Sequence, residues 1–217
     1  MKIRVFVVVL MLSAWASAGI VIGTPNAANC IPWSCGGVYP GNYEQTYNST
    51  DFAGPMTISD IQFFNTYYND GPQQGVGQIH GSIYLAVTAQ ANPDGTIPGN
   101  AVLFSTGGMS GQNWPFGKAI DITGTPFAYD PANGNLEIIM VVTSTGDPLS
   151  GVYTFFDAES GGPFARWCPV CGTNPGYGLV TGFNTRTNNA TPEPSSMALM
   201  GTGILGLAGM LRRKIMR

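Results

Sequence analysis

The sequence predicts an all-β fold: a β-sandwich of jelly-roll-like form, flanked by an N-terminal signal helix and a short C-terminal hydrophobic helix. Three observations lead there. Ile79–Thr88 and Asn135–Thr143 alternate with period two, as strands with two unlike faces do. Turn chemistry recurs at short intervals, in Asn69-Asp70-Gly71, Asn92-Pro93-Asp94-Gly95, Asp130-Pro131-Ala132-Asn133-Gly134 and Thr145-Gly146-Asp147-Pro148. No amphipathic helix of about ten residues or more is legible between the two ends. Roughly seven to nine short strands with such turns argue a sandwich.

The elements follow in chain order. Met1-Lys2-Ile3-Arg4 is a basic start, Val5–Leu12 an apolar run and Ala16-Ser17-Ala18 a small-residue cleavage site. Residues 1–18 therefore read as a secretory signal peptide, with Gly19 the first mature residue. Residues 19–42 carry Pro25, Pro32, Pro40 and several glycines without periodicity, and read as an irregular lead-in. The sandwich domain is placed at 43–187. Its strands are expected at Thr57–Asn65, Ile79–Thr88, Ala101–Ser105, Lys118–Thr123, Asn135–Thr143, Val152–Asp157 and Gly178–Asn184. Weaker candidates lie at Tyr43–Asn48 and Phe164–Trp167. In Thr57–Asn65 the apolar phase slips between Ile58 and Ile61, which predicts a bulge at Ser59-Asp60. Both faces of Asn135–Thr143 are partly apolar, which predicts a central strand.

Composition narrows the partners. Residues 19–191 hold three cations, Lys118, Arg166 and Arg186, against eleven carboxylates, a net charge of −8 where the whole chain carries −3. Such a surface disfavours nucleic acid and anionic lipid. The four cysteines, Cys30, Cys35, Cys168 and Cys171, read as two disulfides in an oxidising compartment. Sequence alone leaves three pairings; closeness in the chain favours Cys30–Cys35 and Cys168–Cys171. A four-thiolate zinc site and a redox reading of Cys168-Pro169-Val170-Cys171 draw on the same residues and rank below disulfides. No cofactor is called for and no metal site is assigned.

Catalysis finds few parts. His80 is the single histidine, on a strand, with no nucleophile motif to serve. A glycosidase needs two carboxylates, and Glu44, Glu137 and Glu159 are the glutamates available in the domain. Glu137 draws most interest of the three, although a solvent-facing charge between hydrophobes is its default reading. The expectation is a protein that is not an enzyme, with no catalytic residue. Binding has more support. Tyr67-Tyr68 and the loop Gly107–Gly117, which carries Trp114, offer flat aromatic faces for a sugar ring. Asp130, Asn133 and Asn135 put oxygens in one turn, which turn chemistry explains without calcium.

The other end has three parts in fixed order. Pro192-Glu193-Pro194, within a linker at 188–196, is held extended by its two prolines. Met197–Leu211 is an uncharged, glycine-loosened hydrophobic span, and a helix of that length covers about 22 Å, short of a ~30 Å hydrocarbon core. Arg212-Arg213-Lys214 opens a basic tail, 212–217, that favours the cytoplasmic side. Tripeptide, span and basic cluster together resemble the PEP-CTERM sorting signal of bacteria that make exopolysaccharide. The resemblance covers residues 191–217. It implies transient membrane insertion, recognition of the tripeptide by a membrane exosortase, removal of the tail, and delivery to the cell surface or extracellular matrix. It also implies an exopolysaccharide setting in which the domain is structural or adhesive. Specific glycan recognition is the alternative, and a carboxylate-based glycoside hydrolase the least favoured.

Overall fold

The computed structural model describes residues 19–32, 41–67, 79–109, 116–145 and 155–185. The expected signal helix, the linker, the hydrophobic span and the basic tail lie outside them. In chain order the strands are β1 (Ile20–Ile22), β2 (Ala27–Asn29), β3 (Gly41–Tyr47), β4 (Met56–Asn65), β5 (Ile79–Thr88) and β6 (Val102–Met109), then β7 (Lys118–Tyr129), β8 (Asn135–Thr145), β9 (Phe156–Cys168), β10 (Gly172–Leu179) and β11 (Thr181–Phe183). They form two antiparallel sheets, and the fold is an all-β sandwich. The smaller sheet runs β1-β11-β4-β7. The larger runs β10-β9-β3-β8-β5-β6, with β2 added against the start of β9. A jelly roll distributes about eight strands over two Greek keys. Among the described residues the strands divide four to seven, and the β5–β6 and β9–β10 hairpins both stay within the larger sheet, so these strands follow a different order.

The two clearest periodic segments became strands almost as read. Ile79–Thr88 is β5 to the residue, and Asn135–Thr145 is β8, a central strand between β3 and β5. The predicted bulge is present: the pairing of β4 with β7 slips between Ile58 and Asp60. The slip returns Ile58, Ile61 and Phe63 to the buried side. Asn184 seals the irregularity. Its Oδ1 accepts from Ser59 N at 2.8 Å and Ser59 Oγ at 3.1 Å, and its Nδ2 donates to Thr57 O at 2.6 Å. It does so from the left-handed region, at φ 53°, which asparagine tolerates because its short polar side chain bonds locally.

Other boundaries moved, each for a reason. The lead-in is not wholly irregular: β1 pairs with β11, and β2 pairs with β9. β7 runs on through Pro126, which falls in the unpaired stretch where the register with β4 slips, an irregularity that tolerates a residue without an N–H. Phe164–Trp167, expected as a strand of its own, belongs to β9, which runs through Gly161-Gly162-Pro163 with a register shift opposite in β10. The stretch read as one strand, Gly178–Asn184, is two. β10 ends at Leu179 in the larger sheet and β11 begins at Thr181 in the smaller. Val180 makes the crossing, its N–H donating to Asp157 O at 2.9 Å.

Inward-facing residues of both sheets share one core. Leu136, Ile138 and Met140 from β8 meet Ile61 and Phe63 from β4 and Phe183 from β11. Tyr47 stands edge-on to Phe183, with ring centroids 5.3 Å apart. A polar chain threads this interior. Tyr43 OH donates to Gln45 Oε1 at 2.7 Å, and Gln45 Nε2 donates to Tyr47 OH at 2.7 Å and Leu179 O at 2.8 Å. Tyr47 OH then donates to Thr181 Oγ1, which donates to Leu179 O. Each of these side-chain groups has a partner, so the chain links the two sheets through satisfied bonds.

Candidate functional site

Register fixes which side chains share the outer face of the larger sheet. Tyr84 pairs with Ile139, Ile139 with Glu44, and Glu44 with Trp167, giving one row across four strands. The next row runs Ala86, Glu137, Thr46 and Ala165. Glu44 and Glu137 are therefore diagonal neighbours across β3 and β8, a placement within reach of long side chains. The expectation that Glu137 faces solvent is corrected: it is 2% exposed, and Glu44 is 0% exposed. The connection between β5 and β6, residues 89–101, covers them. Gly95 N donates to Glu44 Oε2 at 2.8 Å, and Gly95 lies against the Trp167 ring, where a Cβ would come within 2.5 Å of Cζ2.

The electrostatics of this patch are one-sided. Burial, with the charges of Glu44 and Asp94 adding to it, pushes the Glu137 carboxyl up to about 7. Burial also raises Glu44, against the bond from Gly95 and with Asp94 nearby. Glu44 Oε1 and Thr46 Oγ1 are buried without a hydrogen-bond partner. Among the described residues, no three His, Cys, Asp or Glu side chains are grouped to hold a metal ion. Glu159, the third glutamate, is apart from this pair and accepts from Thr24 N at 2.9 Å. Arg166 was legible in the sequence only as a scarce cation. It alternates with Ala165 and Trp167, so it faces the other side of β9, its guanidinium 4.1 Å from the Tyr177 ring centroid.

Of the aromatic candidates Tyr67, Tyr68 and Trp114, Tyr67 lies among the described residues, just after β4. Ile79 pairs with Met109 and with Thr145, and Gly41 with Val142, so four connections leave the same end of the larger sheet. In the smaller sheet Asn65 pairs with Lys118. The connection carrying Tyr67 and Tyr68 and the one carrying Trp114 are thus flanked by paired strands at both of their ends. Tyr68 and Trp114 themselves lie outside the described residues. Tyr67 is 49% exposed. Its backbone is fixed from the opposite sheet: Asp157 Oδ1 accepts from Thr66 N at 2.6 Å and Tyr67 N at 2.8 Å, and Asp157 Oδ2 accepts from Thr66 Oγ1. Phe116, 42% exposed, stands on the neighbouring stem. Sequence reasoning missed Asp157, because its role depends on a contact across about ninety positions of chain.

Of the cysteines, Cys168 and Cys171 form a disulfide, with Cα atoms 5.2 Å apart. Cys30 is also disulfide-bonded, and Cys35, the partner expected for it, lies outside the described residues. The turn at Asp130 behaves as expected: its Oδ1 accepts from Ala132 N, and Asn135 Oδ1 accepts from Ser49 N. No helix among the described residues is long and apolar enough to cross a membrane.

That leaves the tail, where the tripeptide at 192–194, the hydrophobic span from Met197 and the basic cluster from Arg212 follow the end of β11 at Phe183. Residues 190–214 match the PEP-CTERM protein-sorting motif. The match takes in Pro192, Glu193 and Pro194 and the cluster Arg212, Arg213 and Lys214. A PEP-CTERM protein is exported and sorted through an exosortase, a membrane enzyme. No curated protein and no solved structure matches the chain.

Proposed function

We propose that this chain is an exported β-sandwich that an exosortase releases from its C-terminal tail and that then serves a structural or adhesive role, without catalysis, at the cell surface or in an exopolysaccharide matrix. The PEP-CTERM motif at 190–214 carries the reading. The span 197–211 inserts in the inner membrane for a time, the basic cluster holds the cytoplasmic side, and the tripeptide is presented for cleavage. The acidic, disulfide-bonded domain suits an oxidising extracellular setting. The carboxylate pair Glu44 and Glu137 is covered by residues 89–101, which favours a non-catalytic role. Mass spectrometry of the secreted protein tests the reading. The expected species begins at Gly19 and lacks everything after about residue 194; recovery of chains intact to Arg217 as the sole extracellular form overturns it.

A second reading, recognition of a glycan, is favoured by the exposure and fixed backbone of Tyr67 beside the stem that leads to Trp114. An aromatic ring held at little entropic cost is the kind of group on which a sugar face stacks. Calorimetry with a panel of polysaccharides tests it: heat of binding lost in Tyr67→Ala supports it, and no binding to any of them ends it.

A further inference from the structure

Residues 89–101 do more than join two strands. They cross the outer face of the larger sheet and are held at separate points. Asn100 Nδ2 donates to Val87 O at 2.8 Å, Asn135 Nδ2 donates to Gln90 O at 3.0 Å, and Thr173 Oγ1 donates to Pro93 O at 3.0 Å. The fourth hold is Gly95 N to Glu44 Oε2, and it is the one made to an ionisable group. Gly95 adopts φ 91° against the Trp167 ring, a position that only a residue without a Cβ fills. Thr96 N donates to Asp94 Oδ1, which turns the chain over the carboxylates.

Beneath the connection the described titratable groups are Glu44 from β3, Glu137 from β8 and Tyr84 from β5, with Asp94 facing them from above. β9 contributes uncharged Trp167 and Ala165. The patch therefore has acids and no described cation. Two adjoining carboxylates removed from water cannot both ionise without a large desolvation and repulsion cost. A proton on Glu137 removes that cost while Glu44 Oε2 goes on accepting from Gly95 N. Loss of the proton puts two charges under the cover, and the relief available is water, which enters only if the connection lifts.

We propose that residues 89–101 form a pH-gated cover over Trp167, Glu44 and Glu137, seated while Glu137 is protonated and lifted once it ionises. The sign follows from linkage. Glu137 holds its proton more tightly when covered, at about 7, than when opened to water, near the ordinary 4.5. Rising pH therefore weakens the covered form across that window, by up to about tenfold per pH unit, and has no further effect above it. Lifting the cover bares an indole ring with two carboxylates beside it.

Hydrogen exchange of the secreted protein between pH 5 and 8.5, divided by the intrinsic exchange rate at each pH, tests the proposal. The expected result is protection of the Gly95 amide that falls as pH rises toward 7 and then levels, while amides of the β3–β8 ladder keep theirs. In Glu137→Gln the profile is expected to be flat. In Glu44→Gln, which removes the neighbouring charge, the fall is expected to be weaker and shifted to lower pH. Protection of Gly95 independent of pH in the wild-type protein overturns the proposal whatever the variants do. An unchanged slope in a folded Glu137→Gln protein overturns it equally.

Discussion

Tyr47 OH donates to Thr181 Oγ1 at 2.6 Å, tying β3 of the larger sheet to β11 of the smaller through a bond buried from solvent. Replacing Tyr47 by Phe keeps the ring against Phe183 and removes this bond together with the acceptor of Gln45 Nε2. The expected loss is about 1–2 kcal/mol in urea unfolding. Thr181→Val is expected to cost a similar amount. The double variant should fall short of the sum, because the two changes remove one shared bond.

Asn184 offers a sharper comparison. Alanine there forfeits the bonds to Ser59 N and Thr57 O and still has to hold φ 53°. Glycine forfeits the bonds alone. Asn184→Ala is therefore expected to destabilise by about 2–4 kcal/mol and Asn184→Gly by about 1 kcal/mol less, read from denaturant midpoints. Equal losses in the two variants sink the claim that left-handed backbone matters here.

The pH dependence of global stability carries the same sign as that of the local cover. Glu137 is raised to about 7 in the folded protein from an ordinary 4.5, so the folded state binds the extra proton between those values. Stability from this group is complete below about pH 4.5 and is lost as pH climbs toward 7. The melting temperature is expected to fall over that range, and to fall less in Glu137→Gln. A melting temperature that rises steadily from pH 5 to pH 7 in both proteins contradicts this.

For the tail, Glu193→Ala leaves both prolines and the hydrophobic span in place. If the tripeptide is what the exosortase reads, the full-length chain should accumulate in the membrane fraction several-fold over wild type. Conversion of Arg212, Arg213 and Lys214 to glutamine should reduce correct insertion instead. Immunoblotting of membrane and culture fractions separates the two defects.

How much of this was legible depended on whether the signal was local. Period-two alternation located β5 and β8, and a slip of phase located the bulge in β4, because those patterns are written in neighbouring residues. β9 was legible only in two separate pieces, Val152–Asp157 and Phe164–Trp167, because no local pattern says that one strand joins them. The division of β10 from β11 at Val180 is a change of sheet, and nothing in the local pattern announces it. The site shows the same limit. Glu44 and Glu137 were visible as candidates, yet their adjacency comes from β8 inserting beside β3 after some ninety intervening residues. Their concealment comes from a third segment, 89–101.

β11 is the last strand described and lies between β1 and β4, so the smaller sheet stays split until that piece arrives. A chain threading outward amino end first cannot close its sandwich until about residue 183 has cleared the bilayer. The motif match begins at residue 190. On the proposed reading, a cut near residue 194 therefore takes no described strand from either sheet, since β11 ends at Phe183.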